Sequence, residues 1–143
     1  MATAIALGPA LAHLFELPNK INLPKDDYFT VQRIYAGWSL LGGLLALQFV
    51  AIGSVVLTAR NDRRLWTLAL VALVCLVGAQ ALFWIFTYPA NAATANWTVQ
   101  PEDWQALRRR WEYSHAAGAL LQLAAMACLS LGAVRDNRQP SSS

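Results

Sequence analysis

Two long apolar runs, Ile34 to Ala59 and Leu65 to Phe86, constrain this chain more than any other feature. Each is long enough to cross about 30 Å of hydrocarbon, which takes about 20 helical residues. Backbone polar groups find no partner in lipid, so such a run is helical wherever it crosses a membrane. Two further apolar stretches bracket them, Thr3 to Phe15 and Ala116 to Val134, the latter with a polar extension beginning near Trp104. The first is short. It spans only with local thinning, or if the residues around Glu16 stay helical up to Pro18.

The expected fold is therefore an all-α membrane protein, a four-transmembrane-helix bundle with both termini on the same side. It forms a single membrane domain over 1–143, with helices over about 3–17, 31–59, 64–87 and 103–134 and a disordered tail over 136–143. Composition agrees, with 57% hydrophobic residues, 13% charged and a mean hydropathy of +0.37. The 11 Lys and Arg against 8 Asp and Glu sit at helix ends and in loops rather than along a basic stripe, so no nucleic-acid partner is expected. Cys75 and Cys128 fall inside apolar runs, where a thiol acts as a small hydrophobe.

The connection Arg60-Asn-Asp-Arg-Arg64 is short and basic, so the second and third helices should form an antiparallel hairpin. The other two connections, Leu17 to Thr30 and Thr87 to Asp103, emerge on the opposite side, with Pro18, Pro24, Pro89 and Pro101 as helix breakers. Pro101-Glu-Asp suits the positive start of the fourth helix. With Arg108 to Arg110 and Arg33 counted as helix residues, the basic hairpin and the tail beginning at Arg135 favour a multi-pass protein with both termini in the cytoplasm. Gly42-Gly43, Ala46 and Gly53 suggest close helix packing. Trp66, Trp97, Trp104 and Trp111 fall where indoles gather at membrane interfaces.

The only 2 histidines each lie three residues from a glutamate, as His13-Leu-Phe-Glu16 and Glu112-Tyr-Ser-His115. That spacing puts each pair on one helix face. Alternating spans bring both pairs to the same side of the membrane, where ionisable groups at depth face the bundle interior. Arg108, Glu112, His115, Ala119 and Gln122 make one polar stripe on the last helix. Gln80, Trp84, Thr87 and Asn91 face it from the third, and Gln32, Arg33, Tyr35 and Trp38 open the second. A pocket between these helix ends, lined by aromatics and capped by the longer loops, is the natural ligand site. A plainer reading has Glu16 and Glu112 pairing with Arg108, Arg110 or Lys20 to tie helix ends together. His13, Glu16, Glu112 and His115 also compose a donor set for one zinc or iron, or the histidines for a haem; the remaining helices lack the carboxylates of a di-iron bundle. The sequence assigns no cofactor.

Several segments taken together carry a resemblance: His13-Leu-Phe-Glu16-Leu-Pro-Asn-Lys20, Gln32-Arg-Ile-Tyr35-Ala-Gly-Trp38, Tyr88-Pro-Ala-Asn91, and Trp104 with Arg108-Arg-Arg-Trp111-Glu112-Tyr-Ser-His115. The chain resembles, over most of its length, the small four-helix membrane proteins grouped with the anthrone oxygenases. That resemblance implies a cofactor-independent oxygenase turning a flat anthrone into a quinone with molecular oxygen. It implies His115 as base, Glu112 orienting a partner, Arg108 stabilising the anion, and Trp84 and Trp111 stacking on the substrate. His13, Glu16, Tyr35, Trp38 and Asn91 complete the substrate pocket. The competing function is a non-enzymatic accessory subunit of a larger membrane complex. Under either, the lipid bilayer is a partner, and homo-oligomers or complex partners are compatible with so small a chain.

Overall fold

The computed structural model describes residues 1–136, of which 84% are helical, with no strand among the described residues. The helices are α1 (Ala2–Lys20), α2 (Lys25–Gln32), α3 (Leu41–Thr58), α4 (Arg63–Leu82), α5 (Tyr88–Ala93) and α6 (Trp104–Asp136). Three stretches, Trp38–Thr58, Arg63–Ala93 and Trp104–Val134, are long and apolar enough to cross a membrane, so the chain is a multi-pass membrane protein. The expected disordered tail lies outside the described residues, apart from Asp136, which ends α6.

Four long helices close a ring in which α1 packs on α3 and α6, and α4 packs on α3 and α6. The α3–α4 hairpin is as expected. Asp62 caps α4, its carboxylate accepting from the backbone N–H of Arg64 and of Leu65, both at 3.0 Å. The glycines of α3 do not serve the close packing expected of them: a Cβ at Gly42, Gly43 or Gly53 would meet nothing within 4 Å. The tight approach lies between α4 and α6, where a Cβ on Gly132 would come within 2.9 Å of Leu65 Cδ1.

Prolines break fewer helices than expected. Pro18 is carried in the last turn of α1, which reaches Lys20. Pro89 is preceded by a π-helical turn over Phe83–Thr87, after which α5 continues to Ala93. The wide turn relieves the clash of the Pro89 ring with the carbonyl four residues back and lets the helix run on. Conversely, the second apolar helix does not begin at 31. Gly37 adopts φ +85, a left-handed conformation that separates short 3₁₀ turns at Arg33–Tyr35 and Trp38–Leu40, and the regular helix starts at Leu41. Within the connection expected to be a loop lies α2. Its start follows Pro24, with Asp26 and Asp27 in the first turn where the helix dipole favours acids.

Candidate functional site

The packing of α1 on α6 sets His13 against His115, with ring centroids 4.2 Å apart and planes tilted by 48°. Trp111, one turn before His115, lies 4.0 Å from its ring and 5.1 Å from His13. Tyr35 and Trp38, held by the turns on either side of Gly37, approach His13 at 4.7 and 5.3 Å. The His115 Nδ1 is 2.9 Å from the Trp111 carbonyl oxygen. A carbonyl only accepts, so this nitrogen carries the hydrogen and Nε2 keeps a free lone pair. His13 is 6% exposed, and its Nδ1 is buried without a partner.

Both histidines border a cavity of about 1000 Å³ at the centre of the ring. From α6 it is lined by Trp111, Ser114, His115, Gly118, Ala119 and Gln122, and from α1 by Ala6, Pro9, Ala10 and His13. The span from Trp111 to Gln122 corresponds to roughly 16 Å of helix at 1.5 Å per residue. Trp84, Thr87 and Asn91 face it from the π-helical turn and α5. The wide turn also sets Thr87 against Ser114, their hydroxyls 2.6 Å apart.

Behind Trp111 and Tyr35 lies a polar cluster, buried except at Glu16. Lys20 Nζ is 3.1 Å from Glu112 Oε1 and 3.5 Å from Glu16 Oε2, and it donates to the Tyr35 hydroxyl at 2.7 Å. Tyr35 in turn donates to Glu16. The Tyr28 hydroxyl donates to Glu112 Oε1 at 3.0 Å and accepts from Gln32 Nε2 at 2.6 Å. The Lys20 ammonium also sits over the Tyr35 and Trp111 rings, 4.5 and 4.8 Å from their centroids. Burial, reinforced by the neighbouring Glu112 charge, raises the Tyr28 phenol above its ordinary value. Burial, then the hydrogen bond to Glu16, does the same for Tyr35. Both hydroxyls therefore stay protonated and act as fixed donors.

The loop end is closed by aromatic packing of Tyr28, Phe29, Trp97 and Trp111. One acceptor ties it together: Asn91 Oδ1 receives the indole N–H of Trp111 at 2.8 Å and of Trp97 at 3.1 Å. Trp97 reaches that bond from a left-handed run, with φ +46, +56 and +64 at Ala95, Asn96 and Trp97. Trp97 and Trp111 are thus core residues, not the interface anchors their positions suggested.

Of the residues expected to form the site, His13, Tyr35, Trp38, Trp84, Asn91, Trp111 and His115 all border the cavity. Glu16, Glu112 and Arg108 do not. The two glutamates sit in the Lys20 cluster, and Arg108 donates from Nη1 to the Leu23 carbonyl at 2.8 Å while stacking on Trp104. Among the described residues no three His, Cys, Asp or Glu side chains converge as a metal site. Tyr28 was missed. Its signal was the start of α2, where Asp-Asp after a proline opens a helix and Tyr28 and Gln32 fall at a spacing of four. No family model matches the chain, and neither a curated protein nor a solved structure matches it.

Proposed function

We propose that this chain is a four-span membrane enzyme whose central cavity binds a flat hydrophobic molecule and removes a proton from it, as the likeness to anthrone oxygenases implies. The observation that carries the reading is the His13–His115 pair facing an aromatic-walled cavity of about 1000 Å³. Aromatic walls with a few convergent polar groups suit a planar ligand. In this reading α1 is the fourth span, and both termini lie on the side of the basic hairpin, in the cytoplasm of a bacterium.

The Nε2 lone pair of His115 takes the proton from an activated ring carbon, and the electrons left behind delocalise over the planar rings. Molecular oxygen then accepts them: one oxygen atom becomes the new carbonyl and the other leaves as water. Trp111, Trp38 and Trp84 supply stacking surfaces. Lys20, over the far face of Trp111, is paired with Glu112 and Glu16, so it holds the Trp111 ring in place rather than charging the surroundings of the anion. Arg108, engaged with Leu23, has no part in this step.

The test is oxygen uptake by the detergent-purified chain with anthrone as substrate, together with quenching of tryptophan fluorescence. His115→Ala should abolish uptake while leaving quenching within about threefold, as loss of a base without loss of the pocket requires. Uptake equal in the variant and the native chain removes His115 as base. Absence of both signals, with co-purifying subunits, turns the reading to an accessory subunit.

A further inference from the structure

Exposure around the cavity is one-sided. Every wall residue contributed by α1 and α6 is buried or half-buried, His13, Ser114 and Ala119 among the buried ones. The exposed wall residues all come from two facing segments. One is Ala36 to Gly42, where the chain is interrupted by the left-handed Gly37, and the other is Trp84 to Asn96, which starts in the π-helical turn. Trp84 is 59% and Tyr88 51% exposed although both border the cavity. Both segments fall largely within the stretches long and apolar enough to cross a membrane, Trp38–Thr58 and Arg63–Ala93. The opening therefore lies to one side, at the ends of these two stretches, and its flank is apolar: Leu40, Ile85 and Phe86 are exposed beside it. At the loop end Trp97, Trp111 and the Lys20–Glu112 pair are buried and narrow the way to water, leaving Ala95 and Asn96 exposed at its edge.

We infer that the cavity is loaded laterally from the bilayer, through the gap between Ala36–Gly42 and Trp84–Asn96, and that its ligand is a neutral planar molecule already dissolved in lipid. The inference rests on the reading of the cavity as a ligand site. A charged solute would have to shed its hydration to cross the apolar flank, a cost that nothing at the opening offsets.

Two glycines make the idea testable without disturbing the core. A Cβ at Gly42, on the rim, or at Gly118, on the back wall, would meet nothing within 4 Å. The full chain in liposomes is mixed with hydroxypyrene, a flat lipophilic phenol, and binding is followed in time by energy transfer from tryptophan. Gly118→Phe puts a ring into the site and should weaken equilibrium binding by at least about tenfold. Gly42→Phe narrows the rim and should slow association and dissociation together by about tenfold while equilibrium binding stays within about twofold. In the native protein the association rate should follow the amount of probe per lipid, not its free concentration in water. A rate set by the aqueous concentration, or unchanged in Gly42→Phe, overturns lateral loading while the pocket stands. Undiminished binding in Gly118→Phe, or no transfer in the native protein, overturns the pocket itself and the loading route with it.

Discussion

Lys20 Nζ lies 3.1 Å from Glu112 Oε1, joining the end of α1 to the first third of α6 where the two side chains are 4% and 0% exposed. Two charges removed from water in this way are stable only together. Their desolvation is offset by mutual attraction and by the hydrogen bonds of Tyr28 and Tyr35 to the same groups. Lys20→Met leaves the Glu112 carboxylate buried with a single hydroxyl partner and should cost about 3–5 kcal/mol. Adding Glu112→Leu to that variant should restore most of the loss, since an apolar pair of similar volume carries no desolvation cost. Unfolding curves in detergent decide it: a double variant no more stable than Lys20→Met means the pair does not hold the helices.

Asn91 accepts two indole hydrogens with one oxygen, so its removal strands two buried donors at once. Asn91→Leu should destabilise by roughly 2–6 kcal/mol, at 1–3 kcal/mol per unsatisfied group. Asn91→Asp keeps the acceptor and should lose far less. Near-ultraviolet circular dichroism reports the same event through Trp97 and Trp111, whose signals should collapse in the leucine variant and persist in the aspartate one.

The left-handed run at Ala95 to Trp97 makes a cheaper test of local strain. Ala95 has φ +46, where a Cβ crowds the following carbonyl and costs about 1–2 kcal/mol. Ala95 is exposed, so no packing is lost on removing its methyl group. Ala95→Gly should therefore raise stability by about 1 kcal/mol, after the added freedom of the unfolded chain is counted. A lower melting temperature for this variant would contradict the strain.

The long apolar helices and the α3–α4 pairing could be read from the sequence because hydropathy over a span is a sum and tolerates local irregularity. That His13 and His115 fall at the same end of the bundle was legible, because a spacing of three puts each histidine on the helix face of its glutamate; that their rings meet was not. Boundaries were less so, because they depend on single residues. Gly37 was not distinguishable from Gly42 or Gly43 by type, yet it alone takes positive φ and ends the helix. Pro89 signals a break only if nothing absorbs its clash, and here a π-helical turn does. The partner of Glu112 was hidden for another reason. Lys20 and the arginines are equal candidates by charge, and the choice depends on α1 continuing past Pro18 to carry Lys20 inward.

Tyr28 and Tyr35 make the fold sensitive to alkali. An exposed phenol releases its proton near pH 10. In the folded chain both are held protonated above that value, chiefly by burial and then by the nearby carboxylates. Below about pH 10 folded and unfolded chains carry the same protons on these groups, and their contribution to stability is fully present. Above it the unfolded chain releases protons that the folded one keeps, so stability falls as the pH rises. Phenolate absorbance should thus show two tyrosines that do not ionise until the protein unfolds, and the melting temperature should drop between about pH 9 and 11. Tyr28→Phe removes one of these groups at the expense of its bond to Glu112. It should lower stability at neutral pH yet flatten the alkaline decline, a pair of opposite changes that loss of packing alone cannot produce.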